Sequence, residues 1–186
     1  RLPTGDPSLV RKVLDAGVRN LLIPRVDSAA EVRAAVEATR FVYGDGPGQR
    51  GLASGRSKPW SGADDYGEVE DESVCLGVMI EKATALDELD DVLSVPELGF
   101  VFVGPSDLSV QLGHPTDKSH PEVREAIGRV CDAALDAGVP LGRISHVPDG
   151  AVDLIDQGCQ IVRIGGELEA AQKTIGARLD RIRDET

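Results

Sequence analysis

Lysine is scarce in this chain: five of its 20 basic residues, against 32 acids, for a net charge of -12. The clustered Lys and Arg that a phosphate backbone demands are missing, which argues against a nucleic-acid surface. Aromatic residues are equally few, at 3%. Acid-rich, Lys-poor chains with small apolar residues are the halophilic pattern, because salt screens the repulsion between surface acids. An ordinary acidic protein shares that charge balance, and both readings stand. No apolar run reaches the ~18 residues of a membrane span, and the opening RLPTGDPSLV carries no signal-peptide pattern. Cys75, Cys131 and Cys159 are isolated and odd in number. They read as buried thiols, so a cytoplasmic location is expected. A Walker-type cradle is excluded, since no GxxxxGK[ST] occurs.

What is present is a rhythm. The length of 186 residues suits a single domain over 1–186, and 41% hydrophobic content suffices for a sizeable core. Five apolar runs of strand length recur: Asn20 to Arg25, Val74 to Ile80, Gly99 to Val103, Val139 to Ile144 and Gln160 to Ile164. Helical patterns follow them: AAEVRAAVEATR, ATALDELDDVL, Pro121 to Ala137 after a loop, AVDLIDQG, and Glu167 to Asp184. Ser28 or Asp27 caps the first of these, with Glu31 completing a capping-box pattern. LDAG at 14–17 and 135–138, and IDQG at 155–158, each place Gly where a helix ends in a left-handed residue. Strand then helix, with strands apolar on both faces, predicts an α/β fold with a parallel sheet covered by helices. The Gly-rich segment from Phe41 to Asp65 interrupts the rhythm, and long irregular loops usually serve a site or an interface.

Two acids stand at strand ends. Glu81 follows Ile80 directly, and Asp107 lies just past Val103. The carboxyl ends of parallel strands form the active face of βα architectures, so neighbouring strands would present both carboxylates to one point. The set is oxygen-only, which favours Mg²⁺ or Mn²⁺, with Co²⁺ also compatible, over a structural zinc. Each acid also has a plainer role: Asp107 could cap a helix, and Glu81 could pair with Lys82 or another surface base. Spacing alone leaves both open.

VMIEK at 78–82, GPSDLS at 104–109, LGHP at 112–115 and HPEV at 120–123 together resemble the HpcH/HpaI aldolases. The resemblance continues through LLIPRVDSAAEVRAAVEATR, the GQRG loop with Trp60 downstream, and IVRIGGE at 161–167, covering essentially the whole chain. It implies a (β/α)₈ TIM barrel and a class II aldolase that forms or cleaves bonds to pyruvate, with an aldehyde as the other product. By resemblance Glu81 and Asp107 are the metal ligands. Ser106 belongs to the pocket for the pyruvate carboxylate, Arg1 stabilises the developing enolate, and Asp15 supports the basicity of the active-site histidine. The chemistry suits those residue types. A divalent ion polarises the keto oxygen, and a fixed guanidinium opposes the growing negative charge. The family's assembly implies a homo-oligomer, a hexamer, with the helix of about 167–184 packing on a neighbour.

The match also departs. The family's base histidine stands in an IDGEH-like strand end that would precede residue 1. His114 and His120 belong to the LGHP and HPEV elements, and His146 has no counterpart. Met79 occupies the position where many relatives carry a substrate-contacting Gln, so Arg50 and Arg56 of the Gly-rich loop are the alternative source of polar contacts, unless they merely order that loop. A full barrel takes about 250 residues, so the last six βα units are expected here, as part of a longer gene product. Two rivals remain: a CoA-ester lyase of the citryl- or malyl-CoA type, and a non-catalytic barrel remnant.

Overall fold

A computed structural model describes residues 1–51, 66–115 and 117–185; Arg56 and Trp60 lie outside them. The chain divides into two units, Arg1–Leu141 and Gly142–Thr186. The first contains α1 (Pro7–Asp15), β1 (Asn20–Ile23), α2 (Ala29–Glu37), α3 (Tyr66–Ser73), β2 (Cys75–Ile80), α4 (Ala83–Asp87), α5 (Leu89–Leu93), β3 (Phe100–Val103), α6 (Pro105–Gln111) and α7 (Pro121–Asp136). Strand β4 (Leu141–Ile144) leads into the second, which adds α8 (Pro148–Asp156), β5 (Ile161–Arg163) and α9 (Glu167–Asp184).

The α/β alternation and the five strands fall where the apolar runs put them. β1 pairs with β2, β2 with β3, and β4 with β5, all in parallel. Gly17, Gly138 and Gly158, at the ends of α1, α7 and α8, adopt φ of 97°, 68° and 93°. Those are the left-handed helix stops that a Cβ would oppose. Ser28 caps α2 by accepting from the Glu31 amide, while the Glu31 carboxylate accepts from the amide of Asp27. The capping box is thus made, with its return bond one residue early.

Three differences have physical causes. Helix α3, YGEVEDES, is polar at most positions and shows no apolar period; it is held by burying Tyr66, Gly67 and Glu70. ATALDELDDVL is two short helices rather than one. Glu88, at φ -104° and ψ 21°, breaks the turn, and its carboxylate accepts from the Ala29 amide. The segment read as a loop after β3 contains α6, begun by Pro105 at its first position.

Pleating sorts the strand side chains into two faces. On one, Leu21, Ile23, Leu76, Val78, Ile80, Val101 and Val103 are almost completely enclosed. The other carries Gly77, Met79 and then Glu81 on β2 and its exit, beside Phe100, Phe102 and Gly104 on β3 and its exit. Here small faces large. A methyl group on Gly77 would stand 2.3 Å from the Phe100 ring. Before α1, the Leu2 amide donates to Leu22 O at 3.0 Å, so the opening residues run alongside β1.

Candidate metal centre at the strand ends

Glu81 leaves the carboxyl end of β2 on the face shared with Met79, and only 1% of it is exposed. A carboxylate that deep needs partners. Oε1 has one, accepting from the Arg25 amide at 2.9 Å. Oε2 is buried with no hydrogen bond from the described residues. It lies against Gly104, where a methyl group would be 2.3 Å from Oε2 and 2.7 Å from the Glu81 Cβ. Burial holds the Glu81 carboxyl above the ordinary glutamate value. The Arg25 amide bond opposes that rise, the negative charge of Asp107 adds to it, and the Arg1 and Arg25 guanidiniums oppose it again. Such influence requires proximity, so Asp107 and Glu81 share one field.

Asp107 sits in the first turn of α6 and is exposed, as is Ser106 beside it. The N-cap of α6 is Gly104, without a side-chain cap, so Asp107 does not serve as the capping residue there. Glu81, for its part, does not pair with Lys82, which bonds Asp27 instead. Neither the helix cap nor a Lys82 pair thus accounts for these acids. Arg1 reaches the same neighbourhood, its Nη1 lying 4.0 Å from Met79 Sδ.

Arg25 and Gly104 were not singled out from sequence. Arg25 has φ of 57°, a left-handed value that costs a non-glycine residue energy. Its amide is the donor to Glu81 Oε1. The signal for Gly104 was present: it stands one step beyond Val103, as Glu81 stands one step beyond Ile80, and those two strand residues are in register. Register was invisible without the fold.

Asp15 lies elsewhere. It ends α1, which leads into the start of β1, whereas Glu81 and Asp107 follow strand ends. Parallel pairing puts those two sets at opposite edges of the sheet. Asp15 Oδ1 is 3.6 Å from Arg50 Nη2, and the buried Arg50 also approaches Glu70 Oε2 at 3.8 Å and the Phe41 ring at 4.1 Å. Glu70 in turn pairs with Arg19 at 2.5 Å. Arg50 thus stands between Asp15 and Glu70 at the amino edge.

The histidines also have partners. His146 Nδ1 lies 3.4 Å from Glu169, both well exposed. His114, His120 and Glu122 bring ligand-type atoms within 4.8 Å of one another. Yet the imidazoles are stacked, 3.4 Å between centroids and 16° between planes. Ring-nitrogen lone pairs lie in the ring plane, so near-parallel rings cannot both point at one ion about 2 Å away. His114 bonds Glu122 at 2.8 Å, and His120 caps α7 by accepting from the Glu122 amide. The group closes a helix start.

The donors around Glu81 are all oxygen, one is buried without a partner, and two guanidiniums stand by. That set fits a hard divalent cation holding an anionic ligand. The HpcH/HpaI aldolase/citrate lyase family profile matches residues 1–173. A 2-keto-3-deoxy-L-rhamnonate aldolase of Escherichia coli K12 is 36% identical over 178 residues, covering 94% of this chain and 65% of that protein. A hydroxypyruvate/pyruvate aldolase of Cupriavidus necator is 38% identical over 167 residues, covering 89% of this chain and 61% of that protein. The chain therefore spans a little under two thirds of each of these relatives. The crystal structure of an HpcH/HpaI aldolase/citrate lyase family protein from Burkholderia cenocepacia superposes with a TM-score of 0.89 at 30% identity, covering 98% of this chain and 72% of that one. Fold and sequence agree, and the chain belongs to the HpcH/HpaI aldolase/citrate lyase family.

Proposed function

We propose that this chain carries the divalent-metal centre of a class II aldolase, on strands that belong to a (β/α)₈ barrel. The reaction is cleavage or formation of a 4-hydroxy-2-oxo acid, with pyruvate and an aldehyde on the cleaved side. The observation that carries the reading is Glu81: fully buried, held from one side by the Arg25 amide, and left with an unpaired Oε2 in the field of Asp107. The names of the two curated relatives, both 2-oxo-acid aldolases, support the substrate class.

Glu81 and Asp107 are the residues that would hold Mg²⁺ or Mn²⁺. The ion, once bound, supplies Lewis acidity toward the keto oxygen of a 2-oxo acid. The chain supplies the rest. Ser106 lies in the first turn of α6, where backbone N–H groups have no intrahelical acceptor and can receive the substrate carboxylate. Arg1 provides fixed positive charge where negative charge develops. Met79, with no amide to offer, contributes an apolar wall and a soft contact to Arg1. In an assembled protein, α9 would meet a neighbouring subunit; it buries no residue, and Leu168, Ile175 and Leu179 on it are exposed.

The test is hydrogen exchange at the methyl group of pyruvate in D₂O, followed by NMR in the protein with and without Mn²⁺. Exchange that requires the ion and is lost in Glu81→Gln supports the aldolase reading. Cleavage or exchange that proceeds equally after metal removal overturns the class II mechanism.

A further inference from the structure

A cavity of about 620 Å³ opens at the amino edge of the sheet, the edge opposite Glu81. That volume lies within the roughly 300–1,000 Å³ of small-molecule pockets. Its walls are largely apolar. Val36 comes from α2, Pro47 from the Gly-rich segment, and Val74 and Val95 from the residues that lead toward β2 and β3. Tyr43 adds a half-exposed ring.

The opening is held in shape by polar contacts. Leu98 N donates to Val95 O at 3.3 Å, closing a turn that has Pro96 and Glu97 at its centre. Glu97 adopts φ of 63° there, a left-handed value that favours glycine. A larger residue keeps such an angle only where its surroundings hold it, and the Glu97 carboxylate is held by Arg40 Nε at 2.5 Å. Arg40 also donates to the Asp71 carbonyl, and the Asp71 carboxylate accepts from the Phe41 amide at 3.2 Å. The end of α2, the end of α3 and the approach to β3 are thereby tied around one preformed space.

Those contacts engage Arg40, Glu97 and Asp71. Glu37 and Glu72 also line the cavity, and among the described residues their carboxylates make no hydrogen bond and no ion pair. Arg33 is the one lining base left over, so the unengaged acids outnumber the bases by two to one. Tyr43 stands in the same negative field: partial burial, then the charges of Asp71 and Glu68, hold its phenol above the usual value. The face of such a ring attracts a cation.

We infer that this cavity is a second ligand site, for a small organic cation: an amine or amidinium carried on a flat apolar body. The body packs between Val36, Val74 and Val95, and the cationic end meets Glu37, Glu72 and the Tyr43 ring. A carboxylate or a phosphate is repelled by the same acids, so the site does not duplicate the binding of a 2-oxo acid at the other edge. Nothing in this assignment depends on the aldolase reading.

The experiment compares benzamidine with benzamide, a neutral molecule of nearly the same shape. Each is titrated into valine-methyl-labelled protein and followed by NMR, in the wild type, Glu37→Gln, Glu72→Gln and the double variant. Glutamine keeps the side-chain shape at both positions and leaves the Arg40–Glu97 pair intact, and unchanged methyl spectra of the free variants confirm the fold. Benzamidine should saturably shift the Val36, Val74 and Val95 methyl signals of the wild type, with a dissociation constant of about 1 mM or tighter. Benzamide should bind at least about tenfold more weakly, the usual gap between a charge-assisted and a neutral hydrogen bond. Each single variant should narrow that gap and the double variant should close it. Benzamidine binding should be the same with Mn²⁺ and in EDTA. No saturable binding, equal affinity for the two compounds in the wild type, or a preference that survives in the double variant overturns the assignment. Binding that requires Mn²⁺ also overturns it, by placing the amidine at the metal centre.

Discussion

Gly104 leaves open the space that the Glu81 carboxylate occupies: a methyl group there would stand 2.3 Å from Oε2. The contact is between a strand-end backbone and a carboxylate pinned on its far side by the Arg25 amide.

Gly104→Ala should therefore displace Glu81. The expected cost is about 1–3 kcal/mol of stability, the usual range for overpacking a filled site. Mn²⁺ affinity should fall at least tenfold as well. Urea denaturation and metal titration on the same preparation check both. A variant as stable as the wild type with unchanged affinity would place the metal donor elsewhere.

Stability of the metal-free protein should depend on pH through Glu81. Burial raises its folded-state value above that of the unfolded chain, so the folded state retains the proton longer. Between the two values the native state binds more protons than the unfolded one, and stability falls as pH rises through that window. Glu81→Gln retains an acceptor for the Arg25 amide but cannot ionise. In EDTA the variant should show a shallower decline above the ordinary glutamate range. At neutral pH it should be at least as stable as the wild type. Denaturant midpoints across a pH series measure the slope directly, and identical slopes would contradict the burial of an ionised Glu81.

The amino edge should behave as structure alone. Arg50→Met leaves the buried Glu70 with Arg19 as its one remaining cation among the contacts described, and should cost roughly 3 kcal/mol, as broken buried pairs do. Asp15→Asn should cost less than about 1 kcal/mol, because the Asp15 side chain is 47% exposed and 3.6 Å from its partner. Neither change should alter Mn²⁺ affinity beyond twofold. A large loss of methyl-proton exchange in Asp15→Asn, with stability intact, would give that residue the catalytic part that the family resemblance implies.

The fold was legible where periodicity and punctuation coincide. Apolar runs marked the five strands, and Gly17, Gly138 and Gly158 marked helix ends because only a residue without Cβ adopts those angles freely. Helix α3 escaped because its sequence has no apolar period, and the break at Glu88 escaped because a tertiary bond from Ala29 competes there with helix propensity. Glu81 and Asp107 stood out as acids at strand ends. Arg25 and Gly104 act through a strained φ and a strand register, neither of which a linear sequence displays. Arg50 was left open between a substrate contact and an ordering role for a related reason: its neighbours in sequence are Gly and Gln, while its neighbours in space are Phe41, Glu70 and Asp15.

The central claim is that Glu81 and Asp107 grip one hard cation, and Mn²⁺ binding measured by electron paramagnetic resonance tests it most directly. One ion per chain is predicted in the wild type, tightened by pyruvate, with affinity reduced at least a hundredfold in Glu81→Gln and at least tenfold in Asp107→Asn. Undiminished stoichiometric binding by both variants would contradict the account.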